Sequence, residues 1–149
     1  MRIIKHPGVV VAVFIWIGFV SAISFMESWL KFLAPGITIP LGLGVGRLVF
    51  GALNKVEWVL ALFILISLVY ARENIFSMSR ATFLIPFFIV IIQTFWLLPA
   101  LDARAQLRIE GAVVPHSYLH IYFAGSEVIK ATCLFIFGIS HFKPVKNYE

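Results

Sequence analysis

Apolar residues fill four long segments of the chain, and short polar stretches that contain proline or glycine separate them. The segments cover residues 9–33, 41–70, 81–101 and 117–142. A helix needs about twenty apolar residues to cross the hydrocarbon core of a bilayer, and each segment is long enough to do so. The pattern therefore predicts an all-α fold with a single domain over residues 1–149, a polytopic membrane protein built as a four-helix transmembrane bundle.

The start of the second segment is rich in glycine. Pro40 stands where a first-turn proline would stand, and the residues up to Tyr70 form either one long helix or a broken pair. Gly42 and Gly46 are four residues apart, and this spacing of small residues lets another helix approach closely. We expect these two glycines to form a helix-packing surface, which would suit a homo-oligomer.

The polar stretch after the third segment alternates charges. We expect Pro99 to end the third helix, residues 102–115 to form a loop, and Pro115 to start the fourth helix. The tryptophans are predicted to occupy lipid-facing belts and packing positions rather than a cofactor site; they are Trp16, Trp29, Trp58 and Trp96.

Composition narrows the class of protein further. The 149 residues are 61% hydrophobic and 13% charged, with a mean hydropathy of +0.99, and a soluble domain is far less apolar. The net charge of +5 comes from cations scattered over termini and loops, so we expect contact with lipid headgroups and no nucleic-acid partner. Cys133 is the only cysteine, which excludes a disulfide or a paired-thiol motif within one chain.

The distribution of cations gives a topology. One side of the bilayer would hold Arg2, Lys5, Arg72, Arg80, Lys143 and Lys146. The other would hold Lys31, Arg47, Lys55, Arg104 and Arg108. Acidic residues are interspersed with the second group and are mostly missing from the first. By the positive-inside rule we expect both termini to be cytoplasmic, in a bacterial inner membrane.

Strongly polar side chains collect near one end of the four segments. In an up-down-up-down bundle these ends of the four segments lie toward the same face of the bilayer. Ionisable groups at membrane depth are costly and usually point into a bundle interior or a wet cavity, so they indicate a functional site. The predicted polar cluster consists of Glu27, Lys31, Arg47, Asn54, Glu57, His120, Glu127 and Lys130.

Two charge pairs are expected within this cluster. Glu27 and Lys31 are spaced i,i+4 on the first helix and can pair there. Glu127 lies near mid-depth in the fourth segment, with Lys130 on the same helix as its expected partner, or else Lys31 or Arg47. Such a network either fixes helix register or forms a proton or substrate site, and both alternatives stay open.

A metal site is the candidate for a cofactor. His116 and His120 are spaced i,i+4, as in zinc motifs on helices, and Glu127 lies two turns deeper on the same line. Glu27 and Glu57 from neighbouring helices would complete a shell of histidine and carboxylate ligands. The alternative is that both histidines are ordinary residues of the membrane interface.

The sequence leaves three functions open. The first is the handling of a small solute or ion at the polar cluster; four helices are few for a transporter, so transport would favour an oligomer. The second is a membrane-embedded metal-binding protein or enzyme that uses histidine and carboxylate ligands. The third is a structural subunit of a larger membrane complex. No nucleophile motif, P-loop or H-E-x-x-H sequence is present, so an enzyme of soluble type is not expected.

Short motifs spread over the chain resemble a known family. They are Ala34-Pro35 after the first segment, the run Gly46–Leu53 in the second, and Pro115 with His120 at the start of the fourth. In these features the chain is similar to the small four-helix membrane family typified by transmembrane protein 205 of animals. The resemblance implies a fold and a membrane location, and it implies no activity. The chain departs from the family pattern at Asn54-Lys55-Val56-Glu57 and at the pair Glu127 and Lys130.

Overall fold

The computed structural model of the chain describes residues 2–4, 6–71 and 78–144. The described residues form four long helices. The first helix is Pro7–Leu33, and the second is Ile39–Tyr70. The third begins with Met78–Ile92 and continues through Gln93–Leu97 into Leu98–Ile109. The fourth helix is Leu119–Ile139. All four are long and apolar enough to cross a membrane.

Local sequence explains the ends of the first two helices. The first helix ends at Leu33, and the chain then turns through Gly36, whose φ of 81° suits a residue without a Cβ. The Thr38 hydroxyl caps the second helix by accepting a hydrogen bond from the backbone N–H of Leu41, at 3.4 Å. The second helix is therefore one continuous element, which decides between the two forms that its sequence allowed.

The third helix is longer than its sequence suggested. Pro99 does not end it, because the π-helical turn Gln93–Leu97 opens the backbone just before the proline ring. The predicted loop from residue 102 is instead helical up to Ile109. There Gly111, with φ 84°, forms a Schellman cap in which the N–H of Ala112 donates to the carbonyl of Leu107, at 2.9 Å.

The fourth helix is shorter than its sequence suggested. It begins at Leu119 and not at residue 117, so His116 lies in the preceding connection. At the other end of the bundle, the short strands Arg2–Ile4 and Phe142–Pro144 pair antiparallel and join the two ends of the described chain.

The apolar core lies at the end of the bundle where the first helix begins and the fourth helix ends. The first helix packs against the second and the fourth. The third packs on the fourth with its first half and on the second with its last turns. Residues from all four helices fill the core, among them Val13, Ile64, Phe83, Leu134 and Phe137, each with no exposed surface.

The outer surface of the bundle is also apolar. Large hydrophobic side chains are exposed on every helix, with Phe19, Leu48, Phe95 and Ile121 as examples. A protein in water rarely exposes such an extensive apolar surface, whereas lipid tails cover it at no cost.

The glycines of the second helix pack within the chain. A Cβ on Gly42 would overlap the ring of Phe32, and one on Gly46 would lie 2.9 Å from Nζ of Lys31. The expected close packing at Gly42 and Gly46 is therefore made with the first helix of the same chain. This part of their surface is not free for the homo-oligomer that the sequence suggested.

Candidate functional site

The inward stripe of each helix changes from apolar to polar at the same level of the bundle. On the first helix the buried Val20 precedes Ser24 by one turn, and on the second Glu57 precedes the buried Ala61 by one turn. The same change separates Val90 from Gln93 on the third helix and Leu134 from Lys130 on the fourth. Since i and i+4 side chains share a helix face, these polar residues meet directly above the apolar core.

The residues that meet there form what we call the ionic centre. Its charged members are Glu57, Glu127 and Lys130, of which the last two have no exposed surface and Glu57 has 2%. Its polar members are Trp16, Ser24, Gln93 and Ser126.

Lys130 lies in the middle of the ionic centre. Its ammonium group donates hydrogen bonds of 2.7 Å to Oε1 of Gln93 and 2.7 Å to Oε1 of Glu127. It also forms an ion pair with Oε1 of Glu57. An ammonium group has three N–H donors, and these three oxygens match them. Lys130 is therefore present as a cation that joins the second, third and fourth helices.

The two carboxylates have different surroundings. Both oxygens of Glu127 accept hydrogen bonds: Oε1 from Lys130 and from Nε2 of Gln93, the latter at 2.6 Å, and Oε2 from the hydroxyl of Ser24, at 3.0 Å. Glu57 uses only Oε1, which faces Lys130 and accepts a 2.9 Å hydrogen bond from the indole N–H of Trp16. Within the described part of the chain, no hydrogen bond reaches Oε2 of Glu57.

Two π-helical turns supply residues to the ionic centre. Ser24 lies in the turn Ser21–Glu27 of the first helix, and Gln93 lies in the turn Gln93–Leu97 of the third. A π turn inserts a residue into an α-helix and leaves a backbone carbonyl without its normal partner, and such turns are frequent at functional sites. Here the two widened turns carry polar side chains that face Glu127 of the fourth helix.

The predicted polar cluster is divided between several places. Only Glu57, Glu127 and Lys130 of that cluster meet in the ionic centre. Glu27 and Lys31 form the expected i,i+4 pair, at 3.1 Å, and Lys31 also lies 5.8 Å from the ring centroid of Phe50.

Arg47 lies at the far end of the second helix from the apolar core. It forms a two-pronged ion pair with Asp102 of the third helix, in which Nη2 donates to Oδ2 at 2.9 Å, and Nη1 donates to Gln106. This clamp explains why the third helix continues past Asp102. The same stretch also contains good helix formers such as alanine, glutamine and leucine. Glu127 thus pairs with Lys130 and contacts neither Lys31 nor Arg47.

Asn54 belongs to a smaller polar contact between the second and third helices. Its Nδ2 donates to Oγ1 of Thr94 at 3.0 Å, and the indole N–H of Trp58 donates to the same oxygen at 2.9 Å. Thr94 follows Gln93 in the π turn. This contact therefore holds the helix that carries Gln93 against the helix that carries Glu57.

We predict that Thr94→Val destabilises the protein by about 0.6 kcal/mol, the average for interhelical hydrogen bonds in membranes. The loss arises because Asn54 and Trp58 would share no acceptor. Thr132→Val is the matched control, because the Thr132 hydroxyl is exposed and donates only to a carbonyl of its own helix. Unfolding in mixed detergent, followed by circular dichroism, measures both; equal stability of the two variants would contradict the prediction.

The structure does not bring the proposed metal ligands together. His116 and His120 are exposed, and His116 packs its ring against Tyr118 with centroids 5.5 Å apart. Glu127 is buried about 10 Å further along the helix axis than His120, given a rise of 1.5 Å per residue. Among the residues that the structure describes, no three histidine, cysteine or acidic side chains lie close enough to hold a metal ion. The set His116, His120 and Glu127 is therefore not a ligand shell in this structure.

Sequence reasoning missed part of the site. Gln93 could have been identified from the sequence, because with Thr94 it interrupts an otherwise apolar segment. Ser24 lies on a polar stripe of the first helix. Trp16 carries no such signal: a tryptophan in an apolar segment occurs equally at lipid-facing and core positions, and only packing shows that its N–H reaches Glu57.

Comparison with known proteins adds no functional information. No family model, no curated protein and no solved structure matches the chain. The four apolar helices and the geometry of the ionic centre are therefore the features that bear on its role.

Proposed function

We propose that this chain is an integral membrane protein of a bacterial inner membrane that handles a small ion at the ionic centre. The observation that carries the proposal is a fully buried lysine between two buried glutamates, held by polar residues from all four helices. Buried ionic groups in transmembrane helices commonly belong to ion pathways and proton relays.

Membrane insertion is supported by the apolar outer surface as well as by helix length. Leu48 and Phe95 are 78% and 75% exposed on the outside of the bundle. Helical bundles are typical of inner membranes, whereas the spanning proteins of bacterial outer membranes are β-barrels. A relationship to the transmembrane protein 205 family is part of the same proposal and rests on the short motifs in the sequence.

The count of cations favours the topology with both termini in the cytoplasm. Six lysines and arginines, among them those near the two termini, would lie on the cytoplasmic side and five on the other. The positive-inside rule counts these residues in short loops and would place the larger group in the cytoplasm. Fusion of a fluorescent protein to either terminus should give fluorescent cells, whereas alkaline phosphatase fused there should be inactive.

A small ion is the substrate class that fits the site best. The centre is enclosed on all sides by packed helices, and its groups are charged or strongly polar. A large organic solute would require the helices to separate. The role of a structural subunit is the second candidate, because a buried ion pair also fixes helix register.

Ion movement is tested in vesicles that contain the purified protein. A potassium gradient with valinomycin sets the membrane potential, an internal dye reports proton movement, and radioactive sodium reports sodium movement. We expect flux above that of protein-free vesicles, retained in Thr132→Val and lost in Glu57→Gln. Wild-type vesicles that match protein-free vesicles for both ions would contradict ion movement and favour the structural role.

A further inference from the structure

The ionic centre contains unequal numbers of acidic and basic groups. Glu57 and Glu127 contact one and the same ammonium group, that of Lys130. With every group ionised, the centre would carry one unmatched negative charge. An unmatched charge without water around it is very costly, and two carboxylates that share one site do not readily ionise together.

Among the residues that the structure describes, the neighbouring helices bring no second cation to the centre. Trp16 and Ser24 face it from the first helix, and Gln93 faces it from the third. All three are neutral. Arg47 is ten residues from Glu57 along the second helix, about 15 Å at 1.5 Å per residue, and is paired with Asp102. Lys31 is paired with Glu27. The missing positive charge must therefore come from a bound ion.

The hydrogen bonds show which carboxylate has room for that ion. Glu127 accepts hydrogen bonds at both oxygens, from Lys130, Gln93 and Ser24, and an ionised carboxylate is the acceptor-only form. A proton on Oε2 of Glu127 would require the Ser24 hydroxyl to turn from donor to acceptor, and a proton on Oε1 would displace Lys130 or Gln93. Oε2 of Glu57 accepts from no donor within the described part of the chain. A proton there leaves the hydrogen bond from Trp16 and the contact with Lys130 in place, and Lys130 then faces a neutral carbonyl oxygen.

We propose that the ionic centre binds one proton, carried by Oε2 of Glu57, while Glu127 and Lys130 remain a permanent ion pair. The inference specifies the ion of the proposed function and rests on it. The reaction is reversible protonation of one carboxylate, so no further reactant is needed. Glu57 is then the exchangeable site, and Glu127 with Lys130 forms the fixed charge pair that makes a second negative charge unfavourable.

Infrared difference spectroscopy on the purified protein in lipid tests this assignment. A protonated carboxyl group gives a C=O stretching band that shifts in deuterium oxide. We expect one such band from a buried group in the wild-type protein. It should be lost in Glu57→Gln. It should also be lost in Glu127→Gln, because Glu57 would then pair with Lys130 alone. A band that persists in Glu127→Gln would overturn the charge argument.

Two milder variants show which glutamate carries the proton. Trp16→Phe removes the hydrogen bond to Oε1 of Glu57 and should raise the C=O frequency. Ser24→Ala removes the hydrogen bond to Glu127 and should leave the band in place. The opposite pattern, or no band in the wild type at any pH, would overturn the proposal. Circular dichroism and gel filtration establish that both variants are folded before their spectra are compared.

The infrared spectra test the proton site, and the flux assay tests ion movement, so each experiment can reject its own proposal without rejecting the other. A band assigned to Glu57 without any flux would keep the proton site and reject ion movement. Flux without the band would keep ion movement and reject the proton as the ion held at rest. Sodium uptake without proton movement, together with the missing band, would assign the site to a metal cation instead.

Discussion

Lys130→Met is expected to destabilise the folded protein by about 3–5 kcal/mol, the usual cost of removing one partner from a buried ion pair. Methionine resembles the lysine side chain in length but lacks the ammonium group. Glu127 would then have no cation beside it, in a place where it has no exposed surface and the neighbouring Glu57 has only 2%. Unfolding in mixed detergent, followed by circular dichroism, gives the change in the free energy of unfolding.

A charge-free variant is the matched control for this prediction. Lys130→Met combined with Glu57→Gln and Glu127→Gln removes all three ionisable groups and keeps the shapes of the acidic side chains. We expect the triple variant to recover most of the lost stability, because replacing a whole buried ion pair by neutral groups is often close to neutral. If the triple variant were no more stable than Lys130→Met, the loss would come from packing rather than from unmatched charge.

Gly138→Leu is expected to cost about 1–3 kcal/mol, because it overfills a closely packed contact. A Cβ at this position would lie 3.1 Å from Cγ1 of Val13 and 3.3 Å from the ring of Phe14. Val13 has no exposed surface and cannot move aside without disturbing the core. The first and fourth helices would have to separate, and the same unfolding experiment measures the cost.

Gly125→Leu tests whether the stability loss in Gly138→Leu depends on the position of the glycine or simply on replacing a glycine by leucine. Gly125 lies on the same helix as Gly138, but, apart from its chain neighbours and the nearby backbone of its own helix, no atom of the described residues lies within 4 Å of its Cβ position. Leucine there would extend outward and remove a helix-weakening glycine, so we expect no loss of stability. A loss as large as that of Gly138→Leu would mean that the outer face of the fourth helix also packs against something.

The charge pairs within one helix could be predicted, whereas the contacts between helices could not. The spacing of Glu27 and Lys31, and of Glu127 and Lys130, is enough to expect each pair, because i,i+3 and i,i+4 residues share a face. Which residue from another helix reaches the same place depends on how each helix is rotated and shifted along its axis. Sequence reasoning therefore placed Arg47 with the buried acids, whereas the structure pairs it with Asp102.

The metal hypothesis shows a second limit of prediction from residue spacing. The i,i+4 spacing of His116 and His120 predicts a ligand pair if both residues are helical. The spacing by itself does not show that both residues are helical, and the fourth helix begins only at Leu119. The third helix is the converse case: Pro99 suggested an end, but the π turn before it accommodates the proline. A π turn depends on tertiary contacts, which the order of residues along one helix does not show.

The amino-acid sequence is enough to predict the class of fold: four helices, each long and apolar enough to cross a membrane, with their polar residues toward one end. These properties follow from hydrophobic periodicity and length, which are local. Which polar residues meet depends on how the helices pack. In the structure, Gln93, Trp16 and Ser24 surround the three charged residues of the ionic centre. His120 lies at the surface instead. The reason is physical: in a buried site each donor must find an acceptor, and the partner lies on another helix whose rotation is set by packing.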